Sequence, residues 1–151
     1  MTISPAGLIF IRKHEGCELE AYLDSVGVAT IGYGNTQYPS GKKVQIGDTI
    51  PLSEADTIFN YFATEFAARV NNLVKSKVNQ RQFDALVALA YNIGIGGFSK
   101  STVLKLVNIN PDDSAIRRAF MLWNKGTKNG KRIVLPGLTN RRRDEADHYF
   151  S

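Results

Sequence analysis

The chain has 151 residues, 43% of them hydrophobic and 22% charged, with a net charge of +5. That length and balance suit one folded domain with a real core and exclude a disordered or low-complexity chain. A single cysteine, Cys17, excludes an internal disulfide and fits synthesis in a reducing compartment. The positive charge favours anionic partners, without choosing among nucleic acid, acidic lipid and a polyanionic cell wall.

Helix signals open the chain. Ser4 is placed as N-cap, Pro5 at the first helical position, and Ile3 and Leu8 have the spacing of a hydrophobic staple. Leu8 and Ile11 give the apolar stripe, and Glu15-Gly16 reads as the helix stop. From Leu19 to Asp24 and from Val28 to Tyr33 the pattern is strand-like, and Lys43-Val-Gln-Ile46 alternates as a third strand would. This predicts a three-stranded antiparallel lobe. Leu52-Ser-Glu-Ala-Asp56 approximates a capping box at Ser53, followed by Phe59, Phe62, Phe66, Val70 and Leu73 at helical spacing. Asn79 with Gln82 starts the next helix, whose broad apolar face marks it as central. Gly94 breaks it, Phe98–Val107 reads as one further helix, and Asn110-Pro-Asp-Asp113 starts another that carries Ile116, Ala119, Phe120 and Trp123. Gly126 to Ile133 reads as a basic turn, and Leu138-Thr139 opens a last helix.

Three polar side chains stand out: Glu15 at a helix end, Asp24 after a strand and Thr30 within the next. The spacing Glu15, Asp24, Thr30 followed by Ile31-Gly-Tyr-Gly34 resembles the phage lysozymes (endolysins) of glycoside hydrolase family 24, closer to the lambdoid-phage type than to the T-even type. Later landmarks occur in the family's order: Asn79-Gln-Arg-Gln-Phe-Asp-Ala-Leu, Tyr91-Asn-Ile-Gly, Phe98-Ser-Lys-Ser-Thr, Trp123, and Gly137-Leu-Thr-Asn-Arg-Arg-Arg-Asp-Glu. The resemblance covers nearly the whole chain. It implies an α+β, lysozyme-like fold. A small β lobe, about residues 15–52, is joined by a long helix to a helical lobe of 1–14 plus 53–151, with a cleft between them.

Glycoside cleavage needs a proton for the leaving oxygen and a second carboxylate for an oxocarbenium-like transition state. Glu15 is the expected acid. Asp24 is the expected base toward water if the carboxyls stand roughly 6.5–9.5 Å apart, as in inverting enzymes, rather than about 5–5.5 Å. Thr30 would hold that water. The resemblance favours inversion. It also places Arg141 beside Glu15 as a supporting cation, and Tyr33, Asn92, Ser101, Thr102 and Trp123 in substrate-binding positions. The family usually has histidine after the Ile-Gly-Tyr-Gly motif; here it is Asn35, which cannot carry charge.

Several residues have plainer expectations. His14 should be a surface histidine, Glu18 and Glu20 solvated, and Cys17 a partly buried small side chain. Arg141, Arg142 and Arg143 fall in the first turn of the last helix, against its dipole, with Arg142 and Arg143 meeting Asp144, Glu145 or solvent. No metal-ligand spacing and no cofactor motif is present. Expected partners are peptidoglycan and, for the basic C-terminal region, an anionic wall or membrane; nucleic acid is not expected, and the chain is expected to be a monomer. The N-terminus lacks the pattern of a secretory leader and no run reaches membrane-spanning length. Together with the resemblance this implies cytoplasmic synthesis and holin-dependent release. The expected activity is a muramidase; a lytic transglycosylase or a non-catalytic basic wall-binding module are the rivals.

Overall fold

The computed structural model describes residues 1–151. In chain order it contains α1 (Pro5–His14), β1 (Glu18–Leu23), β2 (Ala29–Gly32), α2 (Leu52–Leu73), α3 (Gln80–Ile93), α4 (Ile95–Lys100), α5 (Thr102–Ile109), α6 (Ile116–Met121), β3 (Lys125–Lys128), β4 (Lys131–Val134) and α7 (Pro136–Tyr149). The result is an α+β lysozyme-like fold, with a small antiparallel sheet and a larger helical region. It forms two compact units, Leu8–Glu65 and Met1–Gly7 with Phe66–Ser151, so the boundaries fall inside α1 and α2. No helix is long and apolar enough to cross a membrane.

In the unit Leu8–Glu65, β1 pairs antiparallel with β2, with Tyr22 opposite Thr30 and Leu23 opposite Ala29. The predicted third strand does not form. Its region supplies only single bridges, Gln37 to Lys43 and Glu20 to Thr49. Val44 is buried but Ile46 is 60% exposed, so the alternation does not mark a buried face. Ala21, Ile31, Val44, Ile50, Ala55 and Ile58 make the core, with Tyr33, Tyr38 and Phe62 packed against it. The capping box at Ser53 does not form either. Helix α2 begins at Leu52, Pro51 O accepts from Glu54 N and Ala55 N, and Asp56 instead accepts from the Tyr33 hydroxyl. Within this unit Arg12 stacks over Phe59 at 5.4 Å and donates to Asn60 at 3.3 Å, which ties the end of α1 to α2.

The helical unit is built around α3. Asn79 and Gln82 form the predicted capping box, and every residue from Gln82 to Ala90 is buried. Helix α7 packs on α3 and α6. Ser101 splits the single helix expected over Phe98–Val107 by capping α5: its hydroxyl accepts from Leu104 N at 3.1 Å. Two Asx turns, at Asn110 and Asp113, delay α6 until Ile116. The helix then ends at Met121, which leaves Trp123 beyond it. The basic turn is a hairpin, β3–β4, whose tip Asn129-Gly130 has both residues at positive φ, 52° and 75°, as a two-residue primed turn requires. Helix α7 starts at Pro136, so Arg141–Arg143 lie in its second turn and not its first.

The N-terminal segment is locked to α3 by Asp84, which is 2% exposed. Asp84 accepts from Ser4 N at 3.1 Å, from the Ser4 hydroxyl and from Gln80 Nε2 at 2.8 Å, while Ser4 Oγ caps α1 by accepting from Gly7 N at 2.9 Å. A Cβ on Gly7 would lie 2.6 Å from Asp84 Cγ. Gly7→Ala is therefore expected to cost about 1–3 kcal/mol, since the carboxylate cannot retreat without losing three donors. Thermal unfolding of the variant checks this; an unchanged midpoint would refute the close packing.

Candidate active site

The expected catalytic residues all lie in the unit Leu8–Glu65, on and beside one hairpin. Glu15 follows α1 directly, and its N–H is shared between Ile11 O at 3.1 Å and Arg12 O at 3.2 Å. Ile11 is fully buried and Arg12 is stacked, so the base of Glu15 is fixed from both sides. Gly16 is not in the left-handed region, so the helix stops without the glycine cap expected there. The positive-φ glycine that matters is Gly34, at 81°. A Cβ there would stand 3.4 Å from Glu15 Oε2. The second glycine of the Ile-Gly-Tyr-Gly motif thus serves both the turn and the approach of the glutamate.

Asp24 sits at the β1–β2 turn. Its Oδ1 accepts from Val26 N and Val28 N, both at 2.9 Å, which leaves Oδ2 outside the turn's own bonds. Asp24 N also continues the ladder by donating to Val28 O at 2.9 Å. Strand alternation then puts Asp24 on the face of Tyr22, and the register puts Tyr22 opposite Thr30. Thr30 is 3% exposed, and its hydroxyl donates to Val28 O at 2.9 Å, so its oxygen keeps only acceptor capacity for a further partner.

Tyr22 was not singled out in the sequence. It is 40% exposed, and its hydroxyl pKa is raised by partial burial first and then by the negative charges of Glu18, Glu15 and Asp24. Its phenol therefore lies within electrostatic reach of both candidate carboxylates. The signal was present: Tyr22 is two residues before Asp24 in a strand, hence on the same face.

The remaining candidates have mixed surroundings. Tyr33 is half-buried against Phe59, with ring centroids 5.3 Å apart, and donates to Asp56 at 2.8 Å; burial and that bond push its pKa up to about 12. Asn35 is buried and bridges to Ile31. In the helical unit Asn92 and Thr102 are exposed. Ser101 is 3% exposed and donates to Phe98 O at 2.7 Å while capping α5, so both hydroxyl roles are used within the chain. Trp123 is half-buried, its ring edge 3.2 Å from where a Cβ on Gly97 would stand.

Arg141 donates from Nε to Glu145 at 3.1 Å and from a terminal nitrogen to Ala88 O at 3.3 Å. Arg142, as expected, meets Glu145, with Nε 2.7 Å from Oε1. Glu145 is fully buried; that burial pushes its pKa up, opposed by Arg142 and Arg141. Arg143 is exposed and donates to Asn140. Two plain expectations fail. Cys17 is exposed, because it lies in the open link between α1 and β1. His14 is half-buried, edge-on to Phe10 with centroids 5.0 Å apart, because α1 brings residues four apart together.

The α+β scaffold, with a hairpin that carries Asp24 at its turn and a buried threonine in its second strand, is that of a glycosidase of the lysozyme class. The family model for phage lysozyme matches residues 12–145. The endolysin of Acyrthosiphon pisum secondary endosymbiont phage 1 is 39% identical over 145 residues, covering 96% of this chain and 95% of that protein. Among solved structures, the endolysin from Escherichia coli O157:H7 phage FAHEc1 superposes with a TM-score of 0.92 at 42% identity, covering 100% of this chain and 94% of that one. The muramidase domain of SpmX from Asticaccaulis excentricus gives 0.86 at 33% identity, covering 99% and 97%. The chain belongs to the phage lysozyme family.

Proposed function

We propose that the protein is an endolysin: a muramidase that hydrolyses the β-1,4 bond from N-acetylmuramic acid to N-acetylglucosamine in peptidoglycan, with inversion. The observation that carries the reading is the hairpin itself. It holds Asp24 by two backbone donors on the face of Tyr22, and Tyr22 in turn stands across from Thr30 and feels the charges of both Glu15 and Asp24.

In the proposed reaction Glu15 gives its carboxyl proton to the glycosidic oxygen as the bond from C1 to that oxygen breaks. A water adds its oxygen to C1 from the opposite face and gives a proton to Asp24. The net change is addition of one water. Thr30 Oγ1, already spending its proton on Val28 O, accepts a hydrogen bond from that water and so aims it. Thr30→Ser should then keep most activity, while Thr30→Val should lose about tenfold or more, the cost of one well-placed hydrogen bond. Equal losses in both variants, measured as kcat on purified peptidoglycan, would reduce Thr30 to packing.

The finer biology is part of the proposal. The enzyme would be made in the host cytoplasm and reach the wall after holin-dependent release. The exposed cations Lys125, Lys128, Lys131 and Arg132 of the β3–β4 hairpin support a salt-sensitive attraction to anionic wall or membrane. The decisive experiment is mass spectrometry of peptidoglycan products made in isotopically labelled water, with early anomer analysis. Labelled reducing muramic ends of inverted configuration support the mechanism. Anhydro ends would make the protein a transglycosylase, and retained configuration would turn Asp24 from base into nucleophile.

A further inference from the structure

Asn92 stands on the last turn of α3 and is exposed, while Arg142, reaching it from α7, is wholly buried. One terminal nitrogen of Arg142 donates to Asn92 Oδ1 at 2.8 Å and to Glu145 Oε2 at 3.1 Å; the other donates to the Trp123 carbonyl at 3.4 Å. A guanidinium is a planar fork of donors with no acceptor. It can meet only the oxygen end of the Asn92 amide. A flipped amide would set its NH2 group against a buried cation and leave donors on both sides unpaired. The accessible end of Asn92 is therefore Nδ2, which offers donors alone. The same fork holds the main chain at Trp123, so one buried side chain fixes two of the positions expected to meet substrate.

We propose that Arg142 is a positioning residue that presents Asn92 as a one-sided hydrogen-bond donor to an acceptor oxygen of the glycan, the acetamido carbonyl of an N-acetyl sugar. This rests on the glycan-hydrolase reading above. The chemistry is matched: an N-acetylated strand carries one amide carbonyl per ring, and a lone donor of fixed orientation rejects groups that can only donate.

Asn92→Asp separates this role from folding. The carboxylate keeps an oxygen for Arg142, so the inner bond survives, while the outer end changes from donor to acceptor. The variant is expected to stay folded, to bind an N-acetylglucosamine tetramer about tenfold more weakly or worse, and to show a raised KM on peptidoglycan with little change in kcat. In the unmutated protein the side-chain NH2 resonances of Asn92, assigned by their loss in the variant, should shift as the tetramer is added. Arg142→Lys keeps a charge for Glu145 but loses the fork, and should also act on KM; a merely structural role would lower the melting temperature and leave KM unchanged. Tight tetramer binding by folded Asn92→Asp, or an unmoved Asn92 resonance while neighbours shift, overturns the proposal. Binding of the tetramer with the shifted Asn92 resonance but no hydrolysis would remove the proposed activity and leave this inference standing; hydrolysis with an unaffected Asn92→Asp would do the reverse.

Discussion

Glu15→Gln is expected to reduce peptidoglycan hydrolysis by about a thousandfold or more while the fold stays intact, since a positioned general acid contributes on the order of 10²–10⁴ in rate and no other group takes its place. Glutamine has the same shape and can occupy the same space beside Gly34, where the gap to a hypothetical Cβ is only 3.4 Å. What it lacks is a proton to give to the leaving oxygen. The main chain of residue 15 is held by its N–H on Ile11 O and Arg12 O, bonds that the substitution keeps. Turbidity loss of cell-wall suspensions and circular dichroism of the same preparation check both halves. A folded variant within tenfold of the original activity would remove Glu15 as the acid.

Glu145→Ala should produce the largest loss of stability, about 3–5 kcal/mol, because it strips the shared carboxylate from two buried guanidiniums. Glu145 and Arg142 are fully buried and Arg141 is 6% exposed, so water cannot replace the missing anion. At roughly 2–4 °C per kcal/mol for a chain of this size, the melting temperature should fall by about 10 °C. The comparison is Arg143→Ala, one helix position from Arg142 but exposed and bonded only to Asn140, where a change within about 0.5 kcal/mol is expected. Denaturant unfolding of both variants decides it. Similar losses would mean that the helix, and not the buried network, carries the effect.

Much of the candidate site was legible because its signals are local. Glu15, Asp24 and Thr30 lie within sixteen positions of each other, and their backbone setting is fixed by a helix end and a two-strand turn. A capping box of four residues, Asn79 to Gln82, or a Ser4-Pro5 helix start, needs no distant partner to form. Readings failed where a feature depends on what lies across from it. The β3–β4 hairpin carries no hydrophobic alternation because neither strand has a buried face, so only its Asn-Gly tip could have announced it. Lys43–Ile46 alternates, yet it finds no strand to pair with along its length.

The sequence by itself determined the class of fold and the helix starts at Ser4 and Asn79, because short-range sterics and hydrogen bonding act between neighbours in the chain. Only the tertiary structure decided that Tyr22 feels the charges of Glu18, Glu15 and Asp24, that Ser101 is a cap, that Asp84 holds Ser4, and that Arg142 meets Asn92 fifty residues away. Those outcomes follow from burial. A guanidinium or carboxylate removed from water must find its partner wherever packing brings one, and no spacing in the sequence records which it will be.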